Sequence, residues 1–236
     1  MNEWTPIFCT DDNGKEYGLT FNWLRNHPDY KELSSLEKFS SQLVKHLGLE
    51  EYHLNFNFST AAISANENTV FVSKHYLNDE NDSEITQFKN ILKQDIIPVP
   101  PLAEELTFDL DTYLLAIKPK VWIISNYPQN SPQGKSITFT KNILKELGHT
   151  VHSVPGLERI CYGDINTFPN YTNCIILNNA VLVPSYNRKE DRYIQGILSD
   201  YGFEVFPIDS RDIVLTNSVL HCISRTLPVL SINSAL

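Results

Sequence analysis

Apolar residues recur at helical spacing in four stretches of the chain. Residues 30–48, "YKELSSLEKFSSQLVKHLG", place Leu33, Leu36, Phe39, Leu43 and Leu47 on one face before a glycine stop. Residues 83–94 do the same with Ile85, Phe88, Ile91 and Leu92, and 137–148 and 188–202 again end in glycine. The starts recur roughly every fifty residues, a period of supersecondary size. A turn and a strand precede each helix: "DDNGKEYGLTFNW", "NENTVFVS", "KPKVWIIS" and "NNAVLVPS". A strand follows each: "EEYHLNFNF", "DIIPVP", "HTVHSVP" and "FEVFPID". β-Branched and aromatic residues fill these runs, so the unit is strand–helix–strand. Each unit is too small to bury a core of its own, and the units are expected to share one.

One further segment stands between successive units at a constant phase. Its five copies are "NEWTPIF" (2–8), "FSTAAIS" (58–64), "FDLDTYLLAI" (108–117), "YTNCIIL" (171–177) and "NSVLHCIS" (217–224), against only four strand–helix–strand units. The regular period predicts an α/β ring in which these segments, read as strands, converge on the axis. Cys222 then meets Glu3, Asp109, Asp111 and Asn173. Side chains alternate along a strand, so His221 is expected to point away from Cys222.

Composition narrows the chemistry. The 236 residues are 42% hydrophobic and 20% charged, with a net charge of −9, which gives no electrostatic footprint for nucleic acid or an acidic membrane surface. An acidic chain suits a cationic small molecule. Cys9, Cys161, Cys174 and Cys222 lack metal-ligand spacing, so neither a metal nor a cofactor is expected. Cys9, Cys161 and Cys174 read as small packed residues, and His53, His75, His149 and His152 as structural. The N-terminus has neither a basic nor an apolar leader region, and no run is long enough to span a membrane, which together predict a cytoplasmic protein.

The order of "W-x-P", "FDLDTYLLAIKP", "YTNCIILNNAVLVPSY" and "IDSRDIVLTNSVLHCIS" resembles the agmatine deiminase and bacterial peptidyl-arginine deiminase family. The resemblance implies the pentein fold, an α/β propeller of ββαβ modules. About four of the usual five are expected here, in one domain over residues 1–236 with units 1–58, 59–107, 108–170 and 171–236. It also implies hydrolysis of the guanidino group of agmatine, arginine or an arginine-containing peptide. A thiolate attacks the central carbon, ammonia leaves, and water releases the product. By matching position, Cys222 is the nucleophile, Asp111 the acid of an H-x-D motif, Glu3 the carboxylate of an R-D-x-G-P motif, and Asn173 a polar group beside the scissile bond. Trp4 and Tyr171 could stack on a guanidinium, with core packing the commoner role for such rings.

The sequence departs from that pattern. The H-x-D motif reads Asp109-Leu110-Asp111, and R-D-x-G-P reads Asn2-Glu3-Trp4-Thr5-Pro6. An expected E-G-G reads Phe58-Ser59-Thr60, and the glycines before the terminal "HC" are Thr216, Asn217 and Ser218. If Asp109 stands in for the histidine, donating a proton near neutral pH requires lifting its pKa at a cost of about 4 kcal/mol. The same carboxylates are expected to raise the pKa of Cys222 unless a bound cation compensates. Two functions follow: a Cys222 hydrolase of guanidino compounds, or a catalytically inactive relative that binds a cationic ligand or a protein partner. An oligomer would cover the sheet edge left open by the absent unit.

Overall fold

The computed structural model describes residues 5–22, 30–66, 69–77, 82–163 and 165–227. Four modules of one pattern follow each other. The first holds β1 (Ile7–Thr10), β2 (Glu16–Asn22), α1 (Tyr30–His46) and β3 (Glu50–Asn57). The second holds β4 (Ile63–Asn66), β5 (Thr69–Ser73), α2 (Asp82–Leu92) and β6 (Ile96–Val99). The third holds β7 (Leu114–Lys118), β8 (Val121–Asn126), α3 (Pro132–Glu146) and β9 (Thr150–Pro155). A hairpin of β10 (Ile160–Tyr162) and β11 (Ile165–Thr167) leads to the fourth, β12 (Ile175–Leu177), β13 (Ala180–Ser185), α4 (Glu190–Asp200) and β14 (Glu204–Asp209). In every module the first strand runs antiparallel to the second, and the third joins the second in parallel after the helical crossover.

Local chemistry explains the boundaries. α3 begins five residues before its apolar pattern, because Ser131 caps it through Gly134 N and Pro132 occupies the first turn. Gly18 lets α1 lie on β2, since a Cβ there would stand 2.4 Å from Val44 Cγ2.

The expectation of one shared core is corrected. Among the described residues the core comprises three clusters, each at a junction between successive modules. Leu19, Phe21, Leu54 and Phe56 of the first module pack with Phe58, Val70, Val72 and Phe88 of the second. Phe71 and Val99 pack with Tyr113, Trp122, Ile124, Ile137 and Leu144 of the third. Ile123 and Val154 pack with Val181, Val183, Ile194 and Leu198 of the fourth. A central strand such as β8 is therefore buried on both faces, with Trp122 and Ile124 toward one junction and Ile123 toward the next, which explains its continuous apolar run. The fourth module's tail returns to the first. Arg225 donates to the Pro6 carbonyl, and its guanidinium lies 5.9 Å from the Phe8 ring centroid.

Candidate active site

The segments between units do recur in phase, but they are not strands where the chemistry lies. Thr60–Ala62 and Leu110–Thr112 are single 3-10 turns, and residues 220–223 are turns. Among the described residues, Asp109, Asp111 and Asn173 sit just before the first strand of a module, and Cys222 after the last module. Glu3 and Trp4 lie outside the described residues.

Asn173 organises the centre. It is fully buried, its Oδ1 accepts from His221 N at 2.8 Å and Cys222 N at 3.3 Å, and its Nδ2 donates to Cys222 Sγ at 3.1 Å. Its own backbone N–H donates to Asn170 Oδ1, and neighbouring Thr172 Oγ1 donates to the Asp111 carbonyl at 2.8 Å. One loop of the fourth module thus ties the terminal turn to the third module. Asp111 approaches from that side, with Oδ2 at 2.7 Å from His221 Nδ1 and 3.8 Å from Cys222 Sγ. Its other oxygen, Oδ1, is buried with no hydrogen-bond partner among the described residues. A bare buried carboxylate oxygen is costly unless a donor arrives.

Asp109 bonds to a different module. It is 1% exposed, and its Oδ1 accepts from Ser59 Oγ of the second module at 2.7 Å. The residue before it, Phe108, has φ +60°, a conformation that costs a bulky residue about 1–3 kcal/mol. Two contacts hold it there: Phe108 N donates to Glu105 Oε2 at 2.9 Å, and the His75 ring stacks on Phe108 with centroids 3.7 Å apart.

The electrostatics are acidic. Cys222 is pushed well above the ordinary thiol range, first by burial, then by the charges of Asp111 and Asp109. Glu105 is raised by burial, and the charge of Asp111 adds to that rise despite hydrogen bonds from Thr107 and Phe108. The expectation that this cluster would suppress the thiolate thus agrees with the geometry.

His221 requires a correction. Residues 217–224 form no strand, with Asn217 at φ +57° and a turn over 220–223, so strand alternation does not apply, and His221 reaches Asp111 alongside Cys222. Tyr171 takes the packed role rather than the stacking one: it is fully buried and its hydroxyl donates to Asp191 at 2.6 Å. Sequence reasoning missed Ser59, Glu105 and His221 as parts of the site. Ser59 stood in the converging segment 58–64 without being singled out, Glu105 lies outside every such segment, and His221 adjoined the nucleophile and was turned away by the strand assumption. Of the remaining cysteines, Cys174 is buried against the Tyr171 carbonyl and pushed up by burial, Cys9 is pushed up to about 11 by burial, and Cys161 is exposed. His53, His149 and His152 bond to Thr20, Trp122 and Tyr201. Among the described residues, no cluster of His, Cys, Asp and Glu is arranged for a metal ion, and no helix is long and apolar enough to cross a membrane.

Successive ββαβ modules that bring a thiol, an imidazole and carboxylates together at their inner turns define a protein of the pentein class. The chain belongs to the Porphyromonas-type peptidyl-arginine deiminase family, whose pattern it matches over residues 1–228. Among solved structures, the agmatine deiminase of C. jejuni superposes with a TM-score of 0.77 at 22% identity, over 94% of this chain and 70% of that one. A cysteine-to-serine variant of that enzyme with substrate bound gives 0.78 at 21% identity, over 94% and 71%. A dimethylarginine dimethylaminohydrolase adduct gives 0.60 at 12% identity, over 93% and 75%. At these identities the likeness is one of fold. No curated protein matches the sequence.

Proposed function

We propose that this protein hydrolyses the guanidino group of agmatine, arginine or a peptidyl arginine through a covalent amidino intermediate on Cys222. The observation that carries this reading is the Asp111 carboxylate. Its Oδ2 lies beside the thiol while its Oδ1 is buried without a partner among the described residues. A guanidinium supplies what is missing: planar N–H donors for Oδ1, and a positive charge that offsets Asp111 and Asp109 and so releases the Cys222 proton. The central carbon then stands beside the sulfur, which attacks it. Asn173 steadies the sulfur through Nδ2, and Glu3 and Trp4 complete the expected set by grasping and covering the cation.

A second reading draws on Asp109, which occupies the family's histidine position and is already bonded to Ser59. In that reading the acidic pocket binds a cation without turning it over.

Ammonia release from agmatine, arginine and arginine peptides separates the two. The hydrolase reading expects release by the wild type and none by Cys222→Ala, which still binds the same compound by calorimetry. Binding without release in the wild type, with release restored by Asp109→His, would favour the silent binder.

A further inference from the structure

We infer that His221, rather than Asp109, handles the protons of the reaction at Cys222, an inference that rests on the hydrolase reading above. Expelling an amine from a tetrahedral carbon requires a proton at the leaving nitrogen, and a side chain that exchanges protons near neutral pH supplies it best. Asp109 is already engaged: its Oδ1 accepts a hydrogen bond from Ser59 in the neighbouring module. His221 is placed for the task. Its Nδ1 is 2.7 Å from Asp111 Oδ2, the same oxygen that lies 3.8 Å from the Cys222 sulfur, and its side chain is 34% exposed, open to water. Its backbone is fixed by the bond from its N–H to Asn173 Oδ1. Asp111 therefore divides its labour, with Oδ2 joining thiol to imidazole and Oδ1 facing the guest.

The steps balance. The thiol proton passes through Asp111 Oδ2 to His221 Nδ1, in the imidazole tautomer whose own proton rests on Nε2. The thiolate forms the S–C bond, and the imidazolium returns the proton to the departing nitrogen as the C–N bond breaks, leaving ammonia and a Cys222 amidinium. Neutral His221 then takes a proton from water as the oxygen adds to carbon. Collapse breaks the S–C bond to give the ureido product and the thiolate, the His221 imidazolium returns its proton through Asp111 to the thiolate, and the hydroxyl proton leaves with ammonia as ammonium.

His221→Asn keeps an N–H donor toward Asp111 but cannot exchange protons. The test compares a guanidine with the matching S-methyl isothiourea, whose thiolate departs without a proton. Ammonia release from the guanidine should fall on the order of 10²-fold or more, while the first-turnover release of methanethiol, which loses only the help of His221 in deprotonating the thiol, should fall by a clearly smaller factor. The variant should then stall, with the Cys222 adduct visible by mass spectrometry. The same pattern in Asp109→Asn but not in His221→Asn would overturn the assignment. An equal fall for both compounds in His221→Asn would reduce His221 to a positioning residue and also overturn it. A wild type that releases neither ammonia nor methanethiol would instead sink the hydrolase reading itself.

Discussion

Cys222 is a poor nucleophile until a positive charge arrives. Burial, Asp111 and Asp109 all favour its neutral form, so the free protein carries the thiol rather than the thiolate through pH 9. A raised pKa means that reactivity toward a neutral haloacetamide climbs with pH and shows no plateau by pH 9. A haloacetamidine, which brings its own cation, should label Cys222 faster near neutral pH. Asp111→Asn should speed the neutral reagent and slow the cationic one. Rates followed by mass spectrometry check all three, and a plateau below pH 9 with the neutral reagent would contradict the account. The sequence identified Cys222, Asp109, Asp111 and Asn173 as neighbours, because each stands at the same phase of the repeat. It did not reveal that the two aspartates divide, one toward Ser59 and one toward His221. That depends on Asp109 standing just before a 3-10 turn that contains Asp111, a conformation in which residues two apart no longer share a face.

At the scale of elements, the loop carrying Asn173 is held from behind by α4. The Asp191 carboxylate accepts from Tyr171 Oη at 2.6 Å, Ser185 Oγ at 2.8 Å, and the Tyr186 and Arg188 amides. Burial alone would raise Asp191, but these hydrogen bonds outweigh it and hold the carboxylate below its ordinary range. With the folded pKa depressed, its contribution is fully present above the unfolded carboxylate range and is lost as pH falls through the folded value. Asp191→Ala leaves a buried tyrosine hydroxyl and an amide unpaired, and should cost about 1–3 kcal/mol in urea unfolding at neutral pH. The deficit should shrink on acidification. A constant deficit down to the acid limb would mean that the carboxylate charge plays no part. At α3, the Ser131 cap has a plainer consequence: Ser131→Ala should cost about 1 kcal/mol, measured the same way. The strands and helices themselves were legible from periodicity. The start of α3 was not read from its apolar pattern, because a cap and a proline extend a helix beyond the residues that face the core.

For the whole molecule, stability resides at three junctions rather than in one core. Phe88 of α2 sits at the first, its ring 5.5 Å from Phe21 and 5.8 Å from Phe58, centroid to centroid, and it is fully buried. Phe88→Ala should cost about 3–5 kcal/mol, as large core truncations do. In a chain of modules that mainly contact their neighbours, the loss should be local. Hydrogen exchange should show amides of β2 and β3 losing protection while those of β8 and β13 keep theirs, and a uniform loss would argue for a single cooperative core.

The sequence by itself determined the unit, its fourfold recurrence and the phase at which reactive side chains recur, because hydrophobic periodicity is a local property of the chain. The tertiary structure alone decided how the modules share their apolar faces, which carboxylate meets the thiol, and that His221 turns toward Asp111. Those outcomes depend on contacts between residues as far apart as Asp111 and Cys222 and on turn geometry set by hydrogen bonds from other modules, neither of which leaves a mark in local spacing.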